Sequence, residues 1–211
     1  MKLLSVVCMP ARRLTSLLRC QTGSSGIEFA VLLPLMLTLY ISGYEISQAI
    51  SVNRKVTLVA HTAADLVAQS SVPVAAADFS GFFILTNAVM TPYSTTPLTV
   101  IVSQLYVDAN CNATVDWSQA TPSTAAYSPG TTITATALLN ELAQLVGGQN
   151  GQCPSPATYL IWGQASYAYA PALGYTITGT LNLSDQIFLS PRMGSCVVFT
   201  GSTDKLCPNE S

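Results

Sequence analysis

Glu28 is the residue whose type and position point most directly to chemistry. It lies at the start of the most apolar part of the sequence, residues 30–44. A carboxylate at the centre of a bilayer costs about 2.5 to 3.5 kcal/mol on insertion scales, so intramembrane acids are rare and usually functional. A hydrated carboxylate at the headgroups is the ordinary alternative for this position. A buried one can neutralise an ammonium group that a partner brings into the lipid.

The rest of the sequence offers few groups for catalysis. His61 is the single histidine, so a serine–histidine triad or a histidine-containing metal site would have to use it. The acids show no spacing that would pair two carboxylates, and residues 147–151 (GGQNG) lack the lysine and following helix of a phosphate loop. We therefore predict that the protein is not an enzyme and has no cofactor and no metal ligands.

Composition and charge predict one domain and a membrane anchor. The chain has 211 residues, of which 49% are apolar and 9% charged, and its mean hydropathy is +0.42. Lys2, Arg12, Arg13 and Arg19 precede the apolar stretch, whereas the part after Gly23 has four basic residues against ten acids. The positive-inside rule then keeps the N-terminus cytoplasmic and exports the remainder. The acidic balance of the exported part argues against nucleic acid as a partner.

Three kinds of N-terminal signal compete for residues 1–50. A cleaved signal peptide has small residues at Ser47-Gln48-Ala49, but its leader is long and its apolar core begins with Glu28. A lipoprotein signal would use Cys20, which Arg19 precedes and which lies before the apolar run. The third is a membrane anchor that is trimmed on its cytoplasmic side.

The third interpretation matches the processing pattern of type IVb prepilins, in which a glycine precedes the cut and an acid and an aromatic residue follow at fixed spacing. Gly23 is the glycine, Ser24 would be the first residue after the cut, and Glu28 and Phe29 are the acid and the aromatic residue. Cleavage after Gly23 would leave a charged amine on Ser24. Glu28, about one helical turn into the apolar phase, could then neutralise the amine of a neighbouring subunit and favour docking.

Six cysteines divide between the two compartments. Cys8 and Cys20 belong to the cytoplasmic leader, where thiols stay reduced, and four belong to the exported part, where disulfides persist. Four cysteines allow three connectivities, and we favour Cys111–Cys153 with Cys196–Cys207. Four buried thiols and a zinc site are the alternatives, although no C-x-x-C spacing supports zinc.

Hydrophobic periodicity predicts an α+β chain with three segments: a leader (1–23), a transmembrane helix with an amphipathic extension (24–70) and an exported α+β domain (71–211). In the extension, apolar residues recur at three- and four-residue steps and should pack on the exported sheet. These residues are Ile46, Ala49, Ile50, Val56, Ala60, Ala63 and Val67.

The exported domain should contain an antiparallel sheet of three or four strands. The β-like segments are 99–107, 113–117, 157–169 and about 175–189, and the helical ones are 75–90 and 137–146. Residues 118–135 are expected to form a loop. In the third segment Tyr159, Ile161, Tyr167 and Tyr169 share one face, which either packs on the helix or lines a sugar-binding surface.

The whole pattern resembles the TadE/TadG-like minor pseudopilins of the bacterial Flp (tight adherence) pilus system. Besides residues 19–34, the likeness is carried by Gly43-Tyr44-Glu45, Val115-Asp116-Trp117-Ser118, residues 167–171 and Pro191-Arg192. Gln164 departs from it, since family members often have an acid before the tyrosine-rich strand.

The resemblance implies a single-pass protein of the bacterial inner membrane with a periplasmic C-terminal domain. It would support assembly of an adhesive pilus and surface attachment. The implied partners are a prepilin peptidase, sister pseudopilins and pilin subunits, the inner-membrane assembly platform and the lipid bilayer. The alternative is a membrane-anchored exported binding or adhesin domain, for a glycan or a surface, with no pilus role.

Overall fold

The computed structural model describes residues 24–108, 112–133, 157–171, 174 and 178–200. The chain divides into two compact units between Tyr44 and Glu45. Helix α1 (Ser24–Ala68) belongs to both units. Its residues 24–44 are the whole described part of the first unit, and its residues 45–68 are the first element of the second. The prediction of a long N-terminal helix is confirmed.

The part of α1 within the second unit, residues 45–68, has a continuous buried stripe. Its buried side chains recur every three or four residues, as expected for a helix with one face on a core. They are Glu45, Ala49, Val52, Val56, Val59, Ala60, Ala63, Ala64, Val67 and Ala68. The predicted packing face is therefore confirmed for five of its seven residues. It is wrong for Ile46 and Ile50, which are 47% and 49% exposed.

Helix α2 (Ala76–Val89) follows within one residue of the predicted limits. At its start the backbone N–H of Ala75 donates to the carboxylate of Asp78 at 2.8 Å. At its end the ammonium of Lys55 donates to the carbonyls of Val89 and Thr91, at 2.9 and 2.8 Å. A lysine from α1 thus satisfies the carbonyl of the last residue of α2, which has no helical partner, and a second carbonyl just beyond the helix.

Five antiparallel strands form one sheet in the order β3-β2-β1-β4-β5. The strands are β1 (Leu98–Val107), β2 (Ala113–Ala120), β3 (Thr132–Ile133), β4 (Thr158–Tyr169) and β5 (Leu181–Leu189).

The sheet therefore has one strand more than the three or four predicted. The additional strand is β3, in a segment predicted as loop. It has two residues, and both pair with β2. Its strand character depends on this pairing and on the adjacent hydrogen bond from the Val115 N–H to the Thr131 carbonyl, at 2.9 Å. Such a short edge strand has no periodicity to reveal it.

Two other strands differ from their predicted limits. β2 continues to Ala120, three residues past its predicted end, and β5 begins at Leu181 rather than near 175.

The two faces of the sheet have different neighbours. The inner face joins the buried stripe of α1 in one apolar core with Val100, Val102, Ile161 and Tyr167. Helix and sheet approach so closely that a Cβ added at Gly163 would lie 2.7 Å from the carbonyl oxygen of Ala60. The outer face holds a second cluster centred on Leu105, Leu160, Trp162 and Phe188.

Candidate functional site

The described part of the first unit is an apolar helix whose large side chains are exposed. Leu35 is 57% exposed, Met36 63% and Tyr40 73%. Among the described residues, one helix, Gly26–Ala68, is long and apolar enough to cross a membrane. Its most apolar stretch is not buried. A membrane anchor accounts for these exposed side chains, because lipid would cover them.

The predicted processing residues lie at the start of this helix. Gly23 lies outside the described residues, and α1 begins at Ser24. Glu28 and Phe29 follow within the helix, and both side chains are exposed, Phe29 by 62%. The acid is therefore about one turn from the first helical residue, which is the spacing assumed in the prediction that it pairs with a neighbouring amine.

The second unit contains a buried polar cluster at an irregularity in the sheet. The register between β1 and β2 shifts at Gln104, so that Asp116 is an extra residue between Trp117 and Val115. The Gln104 amide donates to the Asp116 carboxylate at 2.6 Å and accepts the Val197 N–H at 2.7 Å. The indole N–H of Trp117 donates to the Val197 carbonyl at 3.0 Å. These bonds attach the segment around Val197 to the bulge.

The tyrosines of β4 belong to the core and not to an exposed surface. Tyr167 and Tyr169 are 6% and 9% exposed and join the apolar core against α1. Burial raises the pKa of Tyr167, with a smaller contribution from Tyr93. Burial also raises the pKa of Tyr159, and Asp116 and then Tyr106 add to the effect. Tyr167 and Tyr169 pack in the core with the helix, and Tyr159 is buried against Tyr106, so they do not provide the sugar-binding surface that their sequence pattern allows.

A groove of about 580 Å³ lies on the outer face of the sheet, across β1, β4 and β5. Two cross-strand rows line it, and sequence reasoning missed it because the rows are assembled from three distant segments. The rows are Thr99–Ser166–Ser184 and Ile101–Gln164–Gln186.

The side-chain oxygen of Gln164 is buried in the structure without a hydrogen-bond partner. Gln164 is half-buried, and it lies between Ile101 and Gln186 in the second row.

Of the four cysteines predicted to form disulfides, Cys196 lies in the described part of the chain. It is half-buried and disulfide-bonded. Cys111, Cys153 and Cys207 lie outside the described residues, so the pairing Cys111–Cys153 with Cys196–Cys207 stays a prediction.

His61 has an exposed side chain on α1. Within the described ranges, no three histidine, cysteine or acidic side chains come together as metal ligands would. No chemistry that requires this imidazole is suggested by its position.

No family model, curated protein or solved structure matches the chain.

Proposed function

We propose that this chain is a minor pseudopilin of the TadE/TadG-like kind, which supports assembly of an adhesive Flp-type pilus. The observation that carries the proposal is Glu28 in the first turns of an exposed apolar helix, four residues after Ser24. A subunit trimmed after Gly23 would present an ammonium group and a carboxylate at that spacing. Neighbouring subunits could then pair these charges inside the lipid.

The second unit is compatible with this role. Pseudopilin assembly needs a helix that extends out of the membrane and a folded domain that is attached to that helix. Here residues 45–68 of α1 pack on an antiparallel sheet, and together they form the core of the second unit. The partners under this proposal are the prepilin peptidase, sister pseudopilins, pilin subunits and the inner-membrane assembly platform.

N-terminal sequencing of the membrane-extracted protein from its native host tests the processing step. We expect Ser24 as the first residue, and Gly23→Leu should leave the leader attached. A mature protein that begins at Ile50, after a cut behind Ala49, would mean a released domain and would reject the pseudopilin role.

Glu28→Gln tests the charge pairing, because it keeps the side-chain size and removes the charge. We expect normal membrane insertion and loss of surface pili, with Leu32→Ala as a matched exposed control in the same helix. Normal piliation of the Glu28→Gln strain would count against the pairing.

A membrane-anchored exported binding domain with no pilus role is the second candidate. Its support is the polar groove on the outer face of the sheet, since the tyrosines that first suggested it are buried. A strain lacking the protein distinguishes the two candidates. Loss of pili favours the pseudopilin, and normal pili with reduced surface attachment favour the binding domain.

A further inference from the structure

The groove on the outer face has an uncharged lining that can both donate and accept hydrogen bonds. The hydroxyls of Ser166 and Ser184 make no hydrogen bond as donor in the described part of the chain. Gln186 accepts the Trp162 indole N–H through its side-chain oxygen at 3.3 Å, which leaves its NH₂ group as a donor. Gln164 contributes the buried oxygen that still lacks a donor.

Charge is directed away from this groove. Asp185 also borders the groove, but one of its carboxylate oxygens accepts a hydrogen bond from the hydroxyl of Thr57. Thr57 is on α1, on the opposite side of the sheet. The other accepts the Gln186 backbone N–H at 2.8 Å. No lysine or arginine is found among the described residues of the lining. An anionic ligand would therefore find no cation here.

Size and rigidity suit a small ligand. The volume of about 580 Å³ is within the range of about 300 to 1,000 Å³ that is usual for small-molecule sites. The lining side chains come from three paired strands. Trp162, which bonds Gln186, is stacked between Tyr127 and Phe188. Gln186 is thus held in place before any ligand arrives, which lowers the entropy cost of binding at this side chain.

We infer that this groove binds a neutral saccharide. Each sugar hydroxyl is donor and acceptor at once, so a saccharide can donate to the Gln164 oxygen and accept from the Gln186 NH₂ and the serine hydroxyls. Ile101 provides an apolar contact for the C–H face of a sugar ring. This binding is independent of processing at Gly23 and of the pilus role.

Binding of the detergent-solubilised full chain to an array of neutral and anionic oligosaccharides tests the inference. Wild type should bind at least one neutral oligosaccharide. Gln164→Leu should weaken that binding about tenfold, since loss of one or two neutral hydrogen bonds has about this effect. Ser184→Trp should abolish it by filling the groove. Asn53→Ala, an exposed amide on α1, is the matched control and should bind as wild type does.

Both groove variants should remain folded, because Ser184 is exposed and leucine has nearly the size of glutamine. Thermal unfolding checks this directly. The inference is overturned if wild type binds no neutral oligosaccharide, if only anionic ones bind, or if folded Gln164→Leu and Ser184→Trp both bind as wild type does. Glu28→Gln should leave saccharide binding unchanged, so failure of the pseudopilin proposal and failure of this one are distinguishable.

Discussion

The two portions of helix α1 contrast in what they do with apolar side chains. In residues 26–44 nearly every large apolar side chain is exposed, whereas in residues 45–68 valine and alanine form a buried stripe against the sheet. Both are parts of one unbroken helix. Hydropathy alone therefore does not tell what an apolar helical residue contacts. The side chains differ accordingly, since small residues allow close helix–sheet packing and the large ones in the first portion would offer apolar surface to a lipid bilayer.

The largest difference should appear when an acid is placed in each portion. Leu35 and Leu58 are 57% and 53% exposed, so they form a matched pair. Leu35→Asp should cost about 3 kcal/mol of insertion free energy and remove much of the chain from the membrane fraction. Leu58→Asp should leave that fraction unchanged, as measured by carbonate extraction. Equal extraction of both variants would contradict a span confined to the first portion.

Close packing in the second portion can be tested at Gly163. An added Cβ would meet the carbonyl of Ala60 at 2.7 Å and the Cβ of Ala64 at 2.8 Å. Gly163→Val should therefore destabilise the second unit by about 3 kcal/mol, measured by chemical denaturation. Gly81→Ala is the control, because an added Cβ there meets nothing within 4 Å. It should be neutral or stabilising by up to about 1 kcal/mol. Similar losses in both variants would argue against tight packing at Gly163.

Adjacent residues within the second portion should also differ. Val59 is fully buried and Leu58 is 53% exposed. Val59→Ala should lower the free energy of unfolding by about 2 kcal/mol, because it leaves a cavity in the core. Leu58→Ala should change it by less than about 0.5 kcal/mol. The same denaturation experiment checks both, and a reversed order would mean that the helix presents a different face to the sheet.

The smallest effect should be a dependence on alkaline pH. Tyr159 and Tyr167 have pKa values raised above the ordinary value of 10.0, so the folded state holds their protons more tightly than the unfolded state does. Their contribution to stability should be constant below pH 10 and should decrease as the pH rises above it. The double variant Tyr159→Phe/Tyr167→Phe should show a shallower decrease in thermal denaturation between pH 9 and 11. Equal slopes in the two proteins would refute this.

The elements with strong local patterns were predictable. The apolar run, the three- and four-residue steps up to Val67 and the long alternation of β4 all appear in the structure close to their predicted limits. β3 was not predictable, because two residues carry no period and the strand exists only through its neighbour. The exposure of Ile46 and Ile50 was missed because apolar type alone does not say which side of a helix faces the core.

The candidate sites divide in the same way. Glu28 and its neighbours form a local motif, so sequence spacing was enough to nominate them. The groove combines residues from β1, β4 and β5, and only strand register brings Gln164 and Gln186 together. The buried pair at the bulge had one visible signal, which is Gln104, the single amide side chain in β1. Nothing in the sequence indicated that Val197 would be its partner.

The bulge also has a consequence for folding while the chain is being synthesised. Gln104 bonds to Val197, which lies 93 residues further on. A polypeptide that emerges N-terminus first can therefore form this hydrogen bond only after Val197 has been synthesised. We expect a chain truncated before Val197, in which the Gln104 oxygen loses this donor, to be degraded instead of accumulating.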